Sequence, residues 1–398
     1  MSRIGAEGKN SKFPNFFATW TTDSALIRKT KTGKTDMEQT KKKYALKTTI
    51  FLFATPIIGV IGTGALLFTR GIPLNTWLVY LFMTAATGLA ITGGYHRLFS
   101  HRAYKASLPV KLFYILFGAA AFQQSVIEWS SDHRIHHRYV DKEEDPYAIT
   151  KGFWYAHILW LFENRDHRTP VNVNDLYEDK WVKFQDDHYY PIAIFMGFLF
   201  PTLLCALWGD ALGGLLLAGS LRIAINHHMT FFINSLAHYK GAQPFSDKHT
   251  AKDNWIIALF TFGEGYHNFH HEFQADYRNG IRWYDYDPTK WLIDTFAFFG
   301  LASDRKTISD EQILRKKMVM EEKALREKLE SKSETLSQGF EERLEALRNS
   351  VQETQAKLIN LRSVKEEVGK KAVKEAKSDF KVALNTWKRF VSGDLAPV

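Results

Sequence analysis

One cysteine, Cys205, is all this chain contains, and it lies inside an apolar block. No disulfide can close within the chain, so the fold is not stapled, and a metal bound here would rest on ligands other than a thiolate cluster. No apolar stretch precedes Thr48, so a cleavable signal peptide is not expected and the first long apolar helix should act as the insertion signal. Histidine is missing after His271. The net charge of +9 is not distributed as in a nucleic-acid binder. Much of it sits at Arg28, Lys29, Lys31, Lys34, Lys41, Lys42, Lys43 and Lys47, directly before the first apolar block. That is the positive-inside arrangement, which implies a cytosolic amino terminus and no nucleic-acid partner.

What the chain does have is apolar sequence gathered in blocks. A mean hydropathy of -0.25 conceals them, because a polar tail of roughly ninety residues offsets them in the average. Thr48 to Thr69 and Leu74 to Gly94 are each about twenty residues, the length that crosses a ~30 Å hydrocarbon core. Only Arg70 to Pro73 separates them. A second pair, Pro191 to Trp208 and Ala211 to Phe232, is joined at Gly209 and Asp210. These pairs predict four crossings (48–69, 74–94, 191–208 and 211–232), with both termini cytosolic. The run from Leu112 to Ile127 is short and carries Gln123 and Gln124 before Glu128, so it reads as a buried, interfacial or re-entrant helix. The expected division is a basic segment (1–47), a membrane domain (48–315) whose cap is 95–190 and 233–315, and a charged helical tail (316–398).

In the tail, Leu325, Leu329, Leu336, Phe340, Leu344, Leu347, Val351, Leu358 and Leu361 recur at steps of three, four and seven. Such steps predict either a solvated amphipathic helix or a coiled coil with a second copy or a partner. Further on, Phe380, Ala383, Leu384, Trp387 and Val391 line one face, with Lys381, Lys388 and Arg389 on the other, the pattern of an interfacial anchor.

Three histidine clusters stand beside the apolar blocks: HRLFSH (His96, His101), HRIHH (His133, His136, His137) and HNFHH (His267, His270, His271). Residues three and four apart share a helix face, so each triplet can present imidazoles to one place. His96 and His101 are five apart, about 140° around an ideal helix, so they serve different ions or sit where the helix unwinds. Asn234 and His238, in NSLAH, add an i,i+4 pair after the last apolar block. One structural zinc needs only four ligands, so this many imidazoles imply two ions. Nitrogen-rich, thiolate-free coordination fits iron, and two irons at a membrane surface suggest oxygen chemistry. Glu128, Asp132 and Glu264 are placed to accept the second N–H of ligating rings or to cap helices. His157, His167, His188, His227, His228 and His249 are isolated and are not expected to ligate.

The runs GGYHRLFSHRAYKASLP, EWSSDHRIHHRYVDKEEDPY, INSLAHYKGAQPF and FGEGYHNFHHEFQADYRN resemble the membrane-bound acyl-CoA Δ9 desaturases, the stearoyl-CoA desaturase family, and its fungal branch in particular. The similarity covers residues 45 to 315. It implies an all-α protein with four transmembrane helices under a cytosolic cap, in the endoplasmic reticulum membrane. It also implies two irons held by His96, His101, His133, His136, His137, His238, His267, His270 and His271, with Asn234 holding a water on one of them. The implied reaction uses O2 to place a cis double bond between C9 and C10 of a saturated fatty acyl-CoA. Near-identical methylenes can be told apart only by a bent, narrow tunnel that fixes their distance from the irons. By position, Thr84 and Gly88 resemble the pair at the tunnel's end.

Against the animal pattern, the acyl-CoA contacts depart: Gln124, Ser131, Asn164 with Arg165, and Phe231 occupy those positions, and only Asp132 and one cation, Arg165, are kept. Fungal relatives commonly carry a carboxy-terminal cytochrome b5 domain whose haem needs two histidines. With none after His271, the tail cannot be that domain and no haem is expected in this chain, so a separate cytochrome b5 and its NAD(P)H-dependent reductase should supply electrons. The tail would then suit donor docking or self-association. Two rivals remain open at this level: a membrane hydroxylase or desaturase of other regioselectivity with similar boxes, and a non-catalytic scaffold acting through its tail.

Overall fold

The computed structural model describes residues 45–163, 169–331, 338–363 and 370–394. The basic run Arg28 to Lys43, together with Asn164, Arg165 and His167, lies outside them. Among the described residues the regular elements are helices apart from one two-residue antiparallel pair, Lys105–Ala106 with Ala302–Ser303, and the single bridges Ala242–Asp253 and Asp253–Tyr266. Three helices are long and apolar enough to cross a membrane: Leu46–Thr69, Leu74–Ser100 and Tyr189–Ala206. Ile50, Phe53, Ile57, Ile58, Val60, Ile61 and Phe68 of the first are exposed, an apolar surface that lipid can cover and water would not favour. This is an all-α membrane protein.

The fourth expected span is a continuous helix over 211–234. It falls short by composition rather than by length, because it carries Arg222, Asn226, His227 and His228. The first three of these are buried. Arg222 donates to the carbonyl oxygens of Ala218, Ala120 and Gly197 at 3.1, 2.7 and 2.8 Å, and His227 Nε2 lies 2.7 Å from Ala121 O. Polar groups at this depth are tolerated because backbone carbonyls, not lipid, receive them.

The turns 70–73 and 207–210 meet. Asp210, 1% exposed, pairs with Arg70, accepts from Thr76 Oγ1 at 2.6 Å and from Gly213 N at 3.1 Å, and Trp208 Nε1 donates to Thr76 Oγ1 at 3.1 Å. One carboxylate therefore caps a helix and clamps both hairpins at one end of the bundle. Asp210→Ala is expected to cost on the order of 2 kcal/mol, through a lost cap and lost charge-assisted bonds. A lowered thermal midpoint in detergent is the check.

The apolar run read as one helix over 112–127 is divided. Helix Leu108–Ala119 is too short to span and buries Val110, Tyr114, Ile115, Gly118 and Ala119. The chain then turns through Phe122 and Gln124, both in the left-handed region at φ 54° and 78°. Ser125 restarts it as Val126–Tyr139 by a capping box with Glu128, which closes the first turn's free N–H groups.

The tail forms three helices, Asp310–Ser331, Gln338–Ser363 and Lys370–Ser392, around a core of Met318, Leu325, Leu329, Phe340, Leu344, Val351, Ala383, Trp387 and Phe390. Trp387 is fully buried, and its Nε1 donates to Glu321 Oε2 at 2.8 Å. The apolar stripes expected to meet a second copy, a partner or a membrane are instead spent against each other within one chain. Their period was helical, but periodicity does not say what covers a face.

Candidate metal centre

Helix Leu74–Leu89 continues as a π-helix over Ala90–Ser100. His101 N donates to His96 O at 3.1 Å, an i→i+5 turn that brings residues five apart onto one side. Of the two alternatives, different ions or a helix that unwinds, the second holds: the π-helix is locally under-wound, and His96 and His101 fall in one histidine group. Arg134 fastens this end to the second cluster, donating to Phe99 O at 2.7 Å and Ser100 O at 3.0 Å while pairing with Asp175. Asp253 caps helix His267–Glu272 by accepting from Asn268 N and Phe269 N at 2.8 and 3.1 Å. Burial nonetheless pushes its carboxyl up to about 7.

The nine histidines converge in two groups. His96, His101, His133, His137 and His270 form one; His136, His238, His267 and His271 form the other, and within each the ligating atoms all lie within 4.8 Å of one another. The triplets are shared between groups rather than each facing one place. His133 with His137, and His267 with His271, are i,i+4 pairs on one face; the neighbouring His136 and His270 turn about 100° away and cross to the other group. Among the described residues no carboxylate belongs to either group.

The rings are oriented from behind. His136 Nδ1 lies 2.9 Å from Asp145 Oδ1, and His96 Nδ1 lies 2.9 Å from Glu264 Oε2. His238 Nδ1 lies 2.8 Å from Thr250 Oγ1, whose own proton goes to Asp141 Oδ1 at 2.6 Å. His133 Nδ1 is 3.3 Å from the Tyr147 hydroxyl. An ionised carboxylate only accepts, so in the His136–Asp145 contact Nδ1–H donates and Nε2 is the ring nitrogen turned inward. Glu264 is itself held by Arg97 at 2.9 Å. Burial works against its charge, but His96 and Arg97 outweigh burial and keep its carboxyl down at about 2.

A metal fits these residues. Nε2 atoms face each other at 3.0 Å in His96–His270, His270–His137, His238–His267 and His267–His271, at 2.8 Å in His101–His133 and at 3.3 Å in His136–His271. Two nitrogens each ~2.1 Å from one ion at a right angle would lie ~3 Å apart. A ring proton can bridge one such pair as an N–H···N bond, but four or five nitrogens gathered this closely are also what one cation could bind together. Burial first, and the neighbouring imidazoles second, push His101, His133, His137, His238, His270 and His271 well below the ordinary histidine range, so the rings are neutral and ready to ligate. A donor set of nitrogen alone suits iron.

Residues 75–302 match the fatty acid desaturase family. The chain belongs to it. Among relatives, a probable acyl-CoA desaturase of Schizosaccharomyces pombe is 48% identical over 267 residues, which cover 66% of this chain and 55% of the relative. Acyl-CoA desaturase 1 of Saccharomyces cerevisiae is 47% identical over 243 residues, covering 60% and 48%. Stearoyl-CoA desaturase 5 of Bos taurus is 39% identical over 250 residues, covering 61% and 73%. The chain spans about half the length of the two fungal relatives it matches.

In this desaturase-family fold a narrow cavity, with room for no more than about one water, lies between the second span and helix 211–234. Gly88, Ile91, Gln123, Met229, Thr230, Ile233 and Phe262 line it. Its wall is tied to one of the grouped histidines: the Trp129 ring stacks on His133 at 4.9 Å, Trp129 Nε1 donates to Gln123 Oε1 at 3.3 Å, and Gln123 Nε2 donates to Thr230 Oγ1 at 2.9 Å. Of the expected substrate residues, Gly88 lines this cavity and Thr84 sits one turn away, its carbonyl accepting from Asn226. Phe231 is buried beside His157 and His227. Gln124 is exposed, its N–H donating to the Tyr189 hydroxyl at 3.0 Å. Asp132 and Asn234 are half-buried on their helices, and Arg165 falls outside the described residues.

Asp145, Thr250 and Tyr147 were not expected. Asp145 carried a faint signal, an acid before proline nine residues beyond His136; the other two carried none. Glu264 meets the expectation of a carboxylate behind a ligand, whereas Glu128 closes a cap. Of the isolated histidines, the described ones stay outside both groups: His157 Nε2 is 3.1 Å from His228 Nδ1 and its Nδ1 is 2.9 Å from Ser235 Oγ.

Proposed function

We propose that the protein is an acyl-CoA Δ9 desaturase that makes a cis double bond between C9 and C10 of stearoyl and palmitoyl chains, for unsaturated fatty acid synthesis. The observation that carries this reading is the pair of all-histidine groups, one of which is linked through Trp129 and Gln123 to the wall of a narrow cavity. Two irons, bound by the nine histidines with Asn234 holding a water on one, would supply the O2 activation needed to attack an unactivated methylene.

Everything else falls to the chain's own groups. Gln123, Trp129 and Thr230 hold the cavity wall at a constant distance from His133, which is how geometry selects one methylene among many. Apolar walls keep water from the reacting carbons. At the headgroup end, Asp132, Gln124, Phe231 and Arg165 are the candidate acyl-CoA contacts.

The topology follows from the same convergence. Histidines before Tyr189–Ala206 meet histidines after it, which supports an even number of crossings between them, with 211–234 as the returning span. The clamp between turns 70–73 and 207–210 supports this, since both turns then face one side. The histidines and both termini are cytosolic, in the endoplasmic reticulum membrane, and a separate cytochrome b5 with its NAD(P)H-dependent reductase delivers electrons to the histidine side.

Purified protein given stearoyl-CoA, O2, cytochrome b5 and reductase should yield a monoene, and none without cytochrome b5. Hydroxy acids in place of monoenes would instead favour the hydroxylase reading, and iron-free protein the scaffold.

A side chain at Gly88 tests the cavity. A Cβ there would stand 2.0 Å from Phe262 Cε2, so Gly88→Phe must push Phe262 or itself into the acyl path. Products should shift to shorter chains, each excluded methylene being worth about 1–3 kcal/mol of discrimination. Unchanged product lengths on gas chromatography would remove the assignment.

A further inference from the structure

Helix Asp310–Ser331 has two occupied sides. On one, Met318, Leu325 and Leu329 enter the tail core, and Arg326 pairs with Glu341. On the other, Ile313, Lys316 and Lys323 follow at steps of three and seven, which at about 100° per residue places them opposite that core. All three touch the membrane domain. Ile313 is buried with Phe245, Phe269 and Phe273; Lys316 Nζ lies 2.5 Å from Glu272 Oε1; Lys323 pairs with Asp247.

What these contacts grip is the support of one histidine group. Phe269 and Glu272 belong to helix His267–Glu272, which carries His267 and His271. Asp247 belongs to the turn 245–250, where Thr250 Oγ1 meets His238 Nδ1 at 2.8 Å and the His249 ring lies 5.0 Å from that of His271. Asn268 binds helix to turn, accepting from Phe245 N at 2.8 Å and Ser246 N at 3.2 Å. Two of the four imidazoles in that group, His267 and His271, thus ride on a helix the tail helix holds, and a third, His238, is bonded by Thr250 of the turn it holds. In the five-histidine group only His270 rides on that helix.

We infer that helix Asp310–Ser331 is a strap for the four-histidine group, and that retention of the metal there depends on the tail. Ile313, Lys316 and Lys323 are positioning residues that act through Phe269, Glu272 and Asp247. The inference rests on the reading that the nine histidines hold two irons.

The test is release of Fe(II) from the iron-loaded full chain in detergent to a colorimetric chelator, followed in time, with Mössbauer spectra of the same samples. Ile313→Asp combined with Lys316→Glu should release one iron about tenfold faster or more, the scale on which outer-shell partners alter metal affinity. The other iron should leave at the wild-type rate, and one spectral component should be lost. Lys316→Ala with Lys323→Ala, which keeps the apolar contact and guards against a misfolded first variant, should accelerate the same phase by a smaller factor. Lys316→Glu with Glu272→Lys restores the ion pair and should restore the slow phase. Equal acceleration of both irons, or wild-type release of both from the charge variants and from folded Ile313→Asp/Lys316→Glu, would overturn the strap. A wild-type chain that binds fewer than two irons would contradict the two-iron reading instead.

Discussion

His136→Ala is expected to fold, to lose one iron of two, and to lose monoene formation. His136 is one of only four imidazoles in its group, and its Nε2 faces that of His271 at 3.3 Å. Among the described residues no carboxylate belongs to its group. Behind it, Asp145 would keep the N–H of Tyr147 and of Asp141, each at 3.1 Å, so the loss of one bond to His136 is survivable and the loop should stay in place. Outer-shell partners of metal ligands typically matter 10–100-fold, which bounds the milder Asp145→Asn; removing the ligand should cost more than about a hundredfold. Metal analysis together with fatty acid profiles checks both. Full iron content in folded His136→Ala would detach this residue from the centre.

Arg97→Ala is expected to be the most damaging single change to the fold. Arg97 is 1% exposed and bonds Glu264 Oε1 at 2.9 and 3.2 Å, Asp287 at 3.0 and 3.1 Å, and the Tyr277 carbonyl at 2.8 Å. Its removal strands two carboxylates in the interior. Breaking a buried ion pair by deleting one partner costs about 3–5 kcal/mol, set against a total stability of about 5–15 kcal/mol. Asp287 also accepts from Asn279 N, Gly280 N and Lys290 N at 2.9, 3.0 and 2.9 Å, so the segment after the third histidine cluster should loosen with it. The triple change Arg97→Met, Glu264→Gln, Asp287→Asn removes all three charges and should recover most of the folded yield, because no charge is left unpaired. It should not recover iron affinity, since His96 would lose the carboxylate behind its Nδ1. Yield by size-exclusion chromatography and iron content separate the two effects.

Much of the site could be seen from spacing. Eight of the nine histidines that converge stand in three short clusters, His238 being the ninth, and the i,i+4 pairs do share faces. Allocation did not follow. Which group receives His136 or His270 depends on where neighbouring helices stand, and the π-helix that unites His96 with His101 leaves no mark in composition. Asp145 and Thr250 are likewise contributed by loops whose path is tertiary. For the fold, Leu46–Thr69 and Leu74–Ser100 were plain in apolar length, whereas Arg222 and His227 blur the helix over 211–234 until their carbonyl partners are seen. The tail's helical period was legible and its partners were not, since Leu325 or Trp387 would show the same spacing against a second copy, a membrane or its own chain.

The proposed activity of these two histidine groups is desaturation of an acyl chain at one carbon pair. Expression of the chain in a host lacking its own Δ9 desaturase, followed by mass-spectrometric location of double bonds in total lipid, tests it most directly. Cis C9–C10 monoenes of sixteen and eighteen carbons are expected with the wild-type chain and none with His136→Ala. Hydroxy acids, bonds at another position, or equal monoenes from His136→Ala would contradict it.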